Sequence, residues 1–152
     1  MKLKIGDPAP NFSLPSSSGE TVTLNSLKGQ KIVLYFYPKD DTPGCTIEAC
    51  EFRDKSNEIS GKGTKIYGVS PDDVRSHGQF INKFNLNFEL LADQDNTVAT
   101  AYGAWGEKNM YGKVTIGMKR MTFLVDEKGV LQKIWGKVTP EGHAQQIIDE
   151  IS

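Results

Sequence analysis

The chain of 152 residues has little cysteine and little histidine, two of each. It carries no excess of charge of either sign: the net charge is −1, with 24% charged residues. That balance excludes the basic footprint expected of a protein that binds nucleic acid or an anionic membrane. No apolar stretch approaches the roughly 20 residues needed to span a bilayer. The opening "MKLKIGDPAPNF" lacks the apolar core of a secretory signal, so a soluble cytoplasmic protein is expected. Repeats, low-complexity tracts and linkers are absent as well, which predicts one domain over residues 1–152. A domain of this length buries roughly 68–70% of its unfolded surface and needs neither a disulfide nor a metal to be stable. In a reducing compartment, two neighbouring thiols are then better explained by reactivity or metal binding than by stapling. CxxC is missing too. Cys45 and Cys50 stand five residues apart in "YPKDDTPGCTIEAC", which is neither a dithiol redox motif nor a good zinc knuckle. His77 and His143 lie far apart, in polar helical segments without ligand spacing to the cysteines. No metal and no cofactor are expected.

What is present reads as an α/β order. "FSLPSSSGETVTL" alternates apolar and polar residues around a Ser/Gly turn, a hairpin pattern. "KIVLYFY" (31–37) is a continuous apolar run, as in a strand buried on both faces. A helix is predicted over 43–60, stopped by "GKG". "KIYGVS" is a second buried strand, followed by a helix carrying Val74, Phe80, Ile81 and Phe84. "FELLAD" is a short strand and "NTVATAY" a short helix. "RMTFLVD" and "VLQKIW" flank a tight turn at "EKG", as in antiparallel strands. "TPEGHAQQIIDEI" reads as a closing helix, with Thr139 as N-cap and Pro140 at its first position. A central mixed sheet with helices on both faces follows.

Placed on the helix over 43–60, Cys45 falls in the first turn. Unpaired backbone N–H groups and the positive end of the helix dipole favour a thiolate there. Cys45 also begins a stripe at helical spacing with Ala49, Phe52, Ser56 and Ile59, so its sulfur points inward. A buried cysteine is also an ordinary small hydrophobe, and for Cys45 taken alone that alternative stays open. Cys50 falls on another face, among Thr46, Arg53, Asp54 and Asn57, which reads as solvated. A cysteine there has no packing rationale. In an intact helix, residues i and i+5 are about 8.7 Å apart at Cα, from the rise and radius. A disulfide needs about 7 Å or less. The two thiols meet only if the first turns unwind, and Pro43-Gly44 offers a hinge. The pair thus fits a two-step scheme. Peroxide converts Cys45 to a sulfenic acid; Cys50 then condenses with it to a disulfide, which an external dithiol reduces by exchange.

"PKDDTPGC" has the Pro-x-x-x-Thr-x-x-Cys arrangement of the peroxiredoxins, filled by Pro38, Thr42 and Cys45. "TPGCTIEAC" resembles the Q-type subfamily, the bacterioferritin comigratory proteins, whose resolving cysteine lies five residues on. The similarity continues through "GDPAPNFSL", "GVSPD", "FELLAD", "YGAWGEKNMYGK" and "RMTFLVDEKG". It implies a thioredoxin-like fold with an N-terminal β-hairpin extension. The implied activity is reduction of hydrogen peroxide and organic hydroperoxides by a monomer, at the expense of thioredoxin or a similar dithiol protein. By resemblance, Cys45 is peroxidatic and Cys50 resolving, Thr42 holds a peroxide oxygen or the thiolate, and Pro38 shields the site from water. The family's arginine falls on Arg120, where a cation stabilises a thiolate and a fork of donors can hold a peroxide oxygen; taken alone, Arg120 reads as a solvated charge beside a strand. Glu48, three residues after Cys45, either orients that arginine or is a surface helix glutamate. Trp105 and Tyr111 sit in a Gly-rich loop that borders the site or is anchored by them. The competing function is a redox sensor or holdase-like binding protein switched by Cys45 oxidation.

Overall fold

The computed structural model describes residues 3–110 and 112–151. Five strands make the central sheet, in the order β5-β4-β3-β8-β9. They are β3 (Lys31–Phe36), β4 (Thr64–Ser70), β5 (Glu89–Ala92), β8 (Met121–Val125) and β9 (Leu131–Trp135). β3 lies at the centre, parallel to β4 and antiparallel to β8. Its residues from Ile32 to Phe36 are almost completely buried on both faces, which is why the sequence there is apolar without alternation.

The alternate residues of β3 feed two cores. Ile32, Leu34 and Phe36 join Phe123, Val69, Tyr102 and the N-terminal Phe12, Leu14 and Val22. Val33 and Tyr35 face the opposite side, against α1 (Pro43–Ser60), α2 (Val74–Phe84) and α4 (His143–Ile151). The N-terminal hairpin pairs β1 (Ser13–Pro15) with β2 (Thr21–Thr23). α3 (Thr97–Ala101) is a single short turn of helix after β5. The turn between β8 and β9 is closed by Asp126, whose carboxylate accepts from the N–H of Lys128 and Val130.

Two expectations change. The closing helix begins at His143, three residues after the Pro140 start suggested by the Thr-Pro pair. Gly142 has φ of +82°, a left-handed conformation that ends any helix running through it. Its N–H is taken by the Glu51 carboxylate on α1 at 2.8 Å, so a tertiary contact satisfies the helix start. The segment expected as a Gly-rich loop is instead a second hairpin, β6 (Trp105–Met110) with β7 (Lys113–Met118). Its glycines Gly106 and Gly117 face one another across the ladder rather than breaking it. Trp105 packs on the core at the base of that hairpin; Tyr111 lies outside the described residues.

Candidate active site

The N-terminus of α1 meets the loop after β3 at the C-terminal end of the parallel strands. Thr42 is the N-cap residue, in extended conformation, and Pro43 takes the first helical position, where its missing N–H costs nothing. Cys45 follows in the first turn and is 1% exposed. Behind it run Ala49, Phe52 and Ile59, all fully buried against α4 and the sheet. The expected inward stripe is therefore real, with half-buried Ser56 as its polar member.

Arg120 precedes β8 and reaches this turn from the other side. Its Nη2 donates to Cys45 Sγ at 3.4 Å, and its Nη1 donates to Glu48 Oε1 at 2.7 Å. Gly44 makes the approach possible: a Cβ there would sit 3.2 Å from Arg120 Nη2. The sequence pairs Cys45 with Arg120 only through family resemblance, since 75 residues separate them. Glu48 is the residue that sequence reasoning undervalued. It is 1% exposed rather than a surface glutamate. One of its oxygens is satisfied by Arg120, while the other, Oε2, is buried without a hydrogen-bond partner. Burial raises its carboxyl to about 7, and the lowering effect of the adjacent guanidinium does not overcome this. Burial works to lower Arg120, but Glu48 and the Cys45 sulfur outweigh it, so the guanidinium is held firmly charged. The signal in the sequence was its spacing, three residues after Cys45 and so one helical turn along the same side of α1.

Thr42 and Pro38 stand at the rim. The Thr42 hydroxyl donates to the carbonyl of Lys39 at 2.9 Å rather than to the sulfur. Its lone pairs remain available as acceptors. Pro38 lines a cavity of about 320 Å³ together with Lys108, Met118, Lys119, Arg120, Gly136, Lys137 and Val138. Arg120 is thus shared between this cavity and the thiol.

Cys50 lies one and a half turns further along α1. It is half-buried, so its face is only partly solvated, in contrast to the sequence reading. Arg53 beside it is occupied: Nη1 donates to the Phe84 carbonyl at 2.6 Å and Nε to Asp54 at 2.9 Å. Both cysteines are free, and α1 is unbroken between them.

The histidines expected in polar segments are both fully buried. His77 anchors the loop before Cys45. Its Nδ1 lies 2.7 Å from Asp40 Oδ2, and its Nε2 donates to the Leu91 carbonyl at 2.9 Å. Asp40 also accepts from the Tyr37 and Ser76 hydroxyls, and its own N–H donates to Asp72. Asp40, Asp72 and His77 have ligand-type atoms within 4.8 Å of one another. Each is already engaged with protein partners, so the cluster works as a clamp on residues 37–42. Asp41, next in the chain, adopts a left-handed φ of +57° and pairs with Lys83 at 2.7 Å. His143 sits under Cys45's helix between Phe52 and Trp135. Burial lowers its pKa, and as a neutral ring it accepts from the Thr122 hydroxyl while Nδ1 faces Gln146 Oε1.

A buried cysteine at a helix N-terminus, hydrogen-bonded to a fixed cation, is an arrangement for nucleophilic attack by sulfur. The family model that matches this chain is that of the AhpC/TSA family, over residues 5–134. The peroxiredoxin Bcp of Bacillus subtilis is 45% identical over 151 residues, covering 99% of this chain and 96% of that protein. A structure of the Xanthomonas campestris bacterioferritin comigratory protein, from work on that protein's alkyl peroxide reduction activity, superposes with a TM-score of 0.87 at 40% identity. It covers 92% of this chain and 89% of its own. A mutant of Xylella fastidiosa PrxQ superposes with a TM-score of 0.92 at 34% identity, covering 99% and 96%.

Proposed function

The chain belongs to the AhpC/TSA family, as a peroxiredoxin of the Bcp or Q type, and on that premise we propose that it reduces hydrogen peroxide and alkyl hydroperoxides through Cys45 and Cys50. The observation that carries the residue assignment is the bond from Arg120 Nη2 to Cys45 Sγ at 3.4 Å. Peroxiredoxins are thiol peroxidases, and this chain's own groups perform the step as follows from their placement.

The Cys45 thiolate attacks the terminal oxygen of the hydroperoxide. The S–O bond forms as the O–O bond breaks, sulfur is oxidised, and the leaving oxygen departs as water or alcohol once protonated. Arg120 holds the thiolate before the attack, and as negative charge passes from sulfur to the leaving oxygen its charged guanidinium stays beside both and stabilises the developing oxyanion, because ionised partners make stronger hydrogen bonds. Thr42 turns its hydroxyl from the Lys39 carbonyl toward the peroxide, and Pro38 covers the site at the cavity rim. The sulfenic acid of Cys45 then accepts attack by the Cys50 sulfur. A disulfide forms and water leaves. The helix has to open first, since i and i+5 in an intact helix are about 8.7 Å apart and a disulfide tolerates about 7 Å. Two exchange steps with an external protein dithiol, thioredoxin or a similar donor, restore both thiols. The chain acts in this cycle as a cytoplasmic monomer.

The deciding experiment is steady-state peroxide consumption with a supplied protein dithiol, alongside mass spectrometry after one equivalent of peroxide. Many turnovers and an intramolecular Cys45–Cys50 disulfide are expected. A chain that stops after one equivalent behaves as a sensor, and an intermolecular disulfide assigns Cys50 another role.

A further inference from the structure

The cavity above Arg120 has an unusual lining. Lys108 comes from β6, Lys119 from the turn between β7 and β8, and Lys137 from the segment after β9. Among the described residues no carboxylate lines the cavity. Nor do the ion pairs among those residues engage any of these three lysines. Arg120 is different, since it is paired with Glu48. Three unpaired cations therefore converge on one opening in a chain whose net charge is −1, a concentration that composition does not require. One of them is fixed in place. Lys108 Nζ donates to the Met118 carbonyl at 3.1 Å, and a Cβ at Gly117 would sit 3.2 Å from Lys108 Cε. Pro38, Met118, Gly136 and Val138 complete the lining.

We propose that this mouth selects hydroperoxides that carry a carboxylate over neutral hydroperoxides of the same size. The inference rests on Cys45 being the thiol that reacts with peroxide. Arg120 both lines the cavity and bonds to the Cys45 sulfur, so a peroxide group held at the thiol places its tail among the lysines. The volume of about 320 Å³ suits a small organic tail. A substrate carboxylate is repelled by a thiolate, and the three cations reverse that sign along the approach. Clefts lined by one sign of charge raise local substrate concentration and association rate, by roughly tenfold or more at low salt.

The test is a single-turnover measurement without any reductant. The rate constant for Cys45 oxidation is compared between a tertiary alkyl hydroperoxide bearing a terminal carboxylate and its methyl ester. Each rate is normalised to that of the same compound with a small free thiol. We expect the acid to react about tenfold faster than the ester at low ionic strength, with the gap narrowing several-fold near about 0.5 M salt as the lysines are screened. The Lys119→Gln/Lys137→Gln double variant brings the ratio close to one, and both side chains are on the surface or half-buried, so folding is spared. A wild-type ratio of one or less, or a ratio indifferent to both salt and the substitutions, overturns the proposal. So does a double variant that keeps the acid-to-ester ratio but needs more protein dithiol to saturate, because the mouth then serves the reductant. If neither compound oxidises Cys45, the peroxidase assignment itself falls, and the charge preference with it.

Discussion

Cys45 and Cys50 share one helix, yet their surroundings are opposed. Cys45 is 1% exposed and bonded to a cation whose second nitrogen is tied to a buried glutamate. Cys50 is half-buried, with Arg53 beside it committed to Asp54 and the Phe84 carbonyl. The chain before them is as unequal as the pair. Residues 37–42 are clamped through Asp40 to Tyr37, Ser76, His77 and Asp72. The first helical turn after them holds Pro43 and Gly44, and Thr42 makes no side-chain cap there. The difference separates the two jobs that a disulfide-forming peroxidase has to reconcile. Cys45 is held against Arg120, while opening the segment between the thiols has to release the buried Glu48 and Ala49 and the Glu48–Arg120 pair, so unwinding starts most easily at the uncapped Pro43-Gly44 turn.

Substituting each cysteine breaks the comparison most severely. Cys45→Ser should abolish peroxide consumption; a folded variant with wild-type turnover would refute the assignment. Cys50→Ser should keep the first round and lose turnover with a protein dithiol. Its sulfenic acid should accumulate and pass to sulfinic acid, visible by mass spectrometry.

Removing the cation comes next. Arg120→Ala should slow Cys45 oxidation on the order of 10²-fold, the effect seen when one preorganised donor to a developing charge is lost. Stopped-flow rates within twofold of wild type would take Arg120 out of the chemistry.

Glu48 offers a pH test of the buried side. Its carboxyl is raised from 4.5 to about 7 by burial. A raised folded pKa means that the folded state holds the proton more tightly than the unfolded state. The stabilising contribution is then complete below about 4.5 and lost as pH rises through about 7. Relative to Glu48→Gln, the wild type should lose about 3 kcal/mol across that window, at 1.36 kcal/mol per unit. Denaturant unfolding at several pH values measures it. Parallel stability curves for the two proteins would show that Glu48 titrates normally.

The smallest effect is local opening. In the oxidised protein, amide exchange should quicken from about residue 42 to 53, while β3 and β8 stay protected. The clamp at Asp40 should hold residues 37–41 at their reduced-state protection. Equal protection of 42–53 in both redox forms would mean that the disulfide forms without unwinding.

Much of this architecture was legible before folding. The apolar run at 31–37 fits a strand near the middle of a sheet, because alternation is absent where both faces are covered. The Pro-Gly-Cys start and the "GKG" stop bounded α1 at the residues observed. The second hairpin was missed, since glycines at 103, 106, 112 and 117 read as a loop. Gly106 and Gly117 are cross-strand partners instead. The closing helix was started too early for a similar reason: the Thr-Pro signal is local, and the Glu51 carboxylate that fixes Gly142 comes from α1, 91 residues away. His77 and His143 read as members of polar helical segments, and Glu48 as either a partner of the arginine or a surface glutamate, because helical periodicity reports which side of a helix is apolar. It does not report which polar residue finds a buried partner.

By itself, then, the sequence determined the strands and helices of the central layer, the helix on which both thiols sit, and a spacing that an intact helix cannot bridge. Those follow from short-range rules: periodicity, capping, and the rise per residue. Only the tertiary structure decided what stands around the thiols. Arg120 against Cys45, Glu48 behind Arg120, the clamp on Asp40, and three lysines at one mouth are all contacts across tens of residues. Their energies come from burial and charge, which depend on what the fold brings near and not on what lies next in the chain.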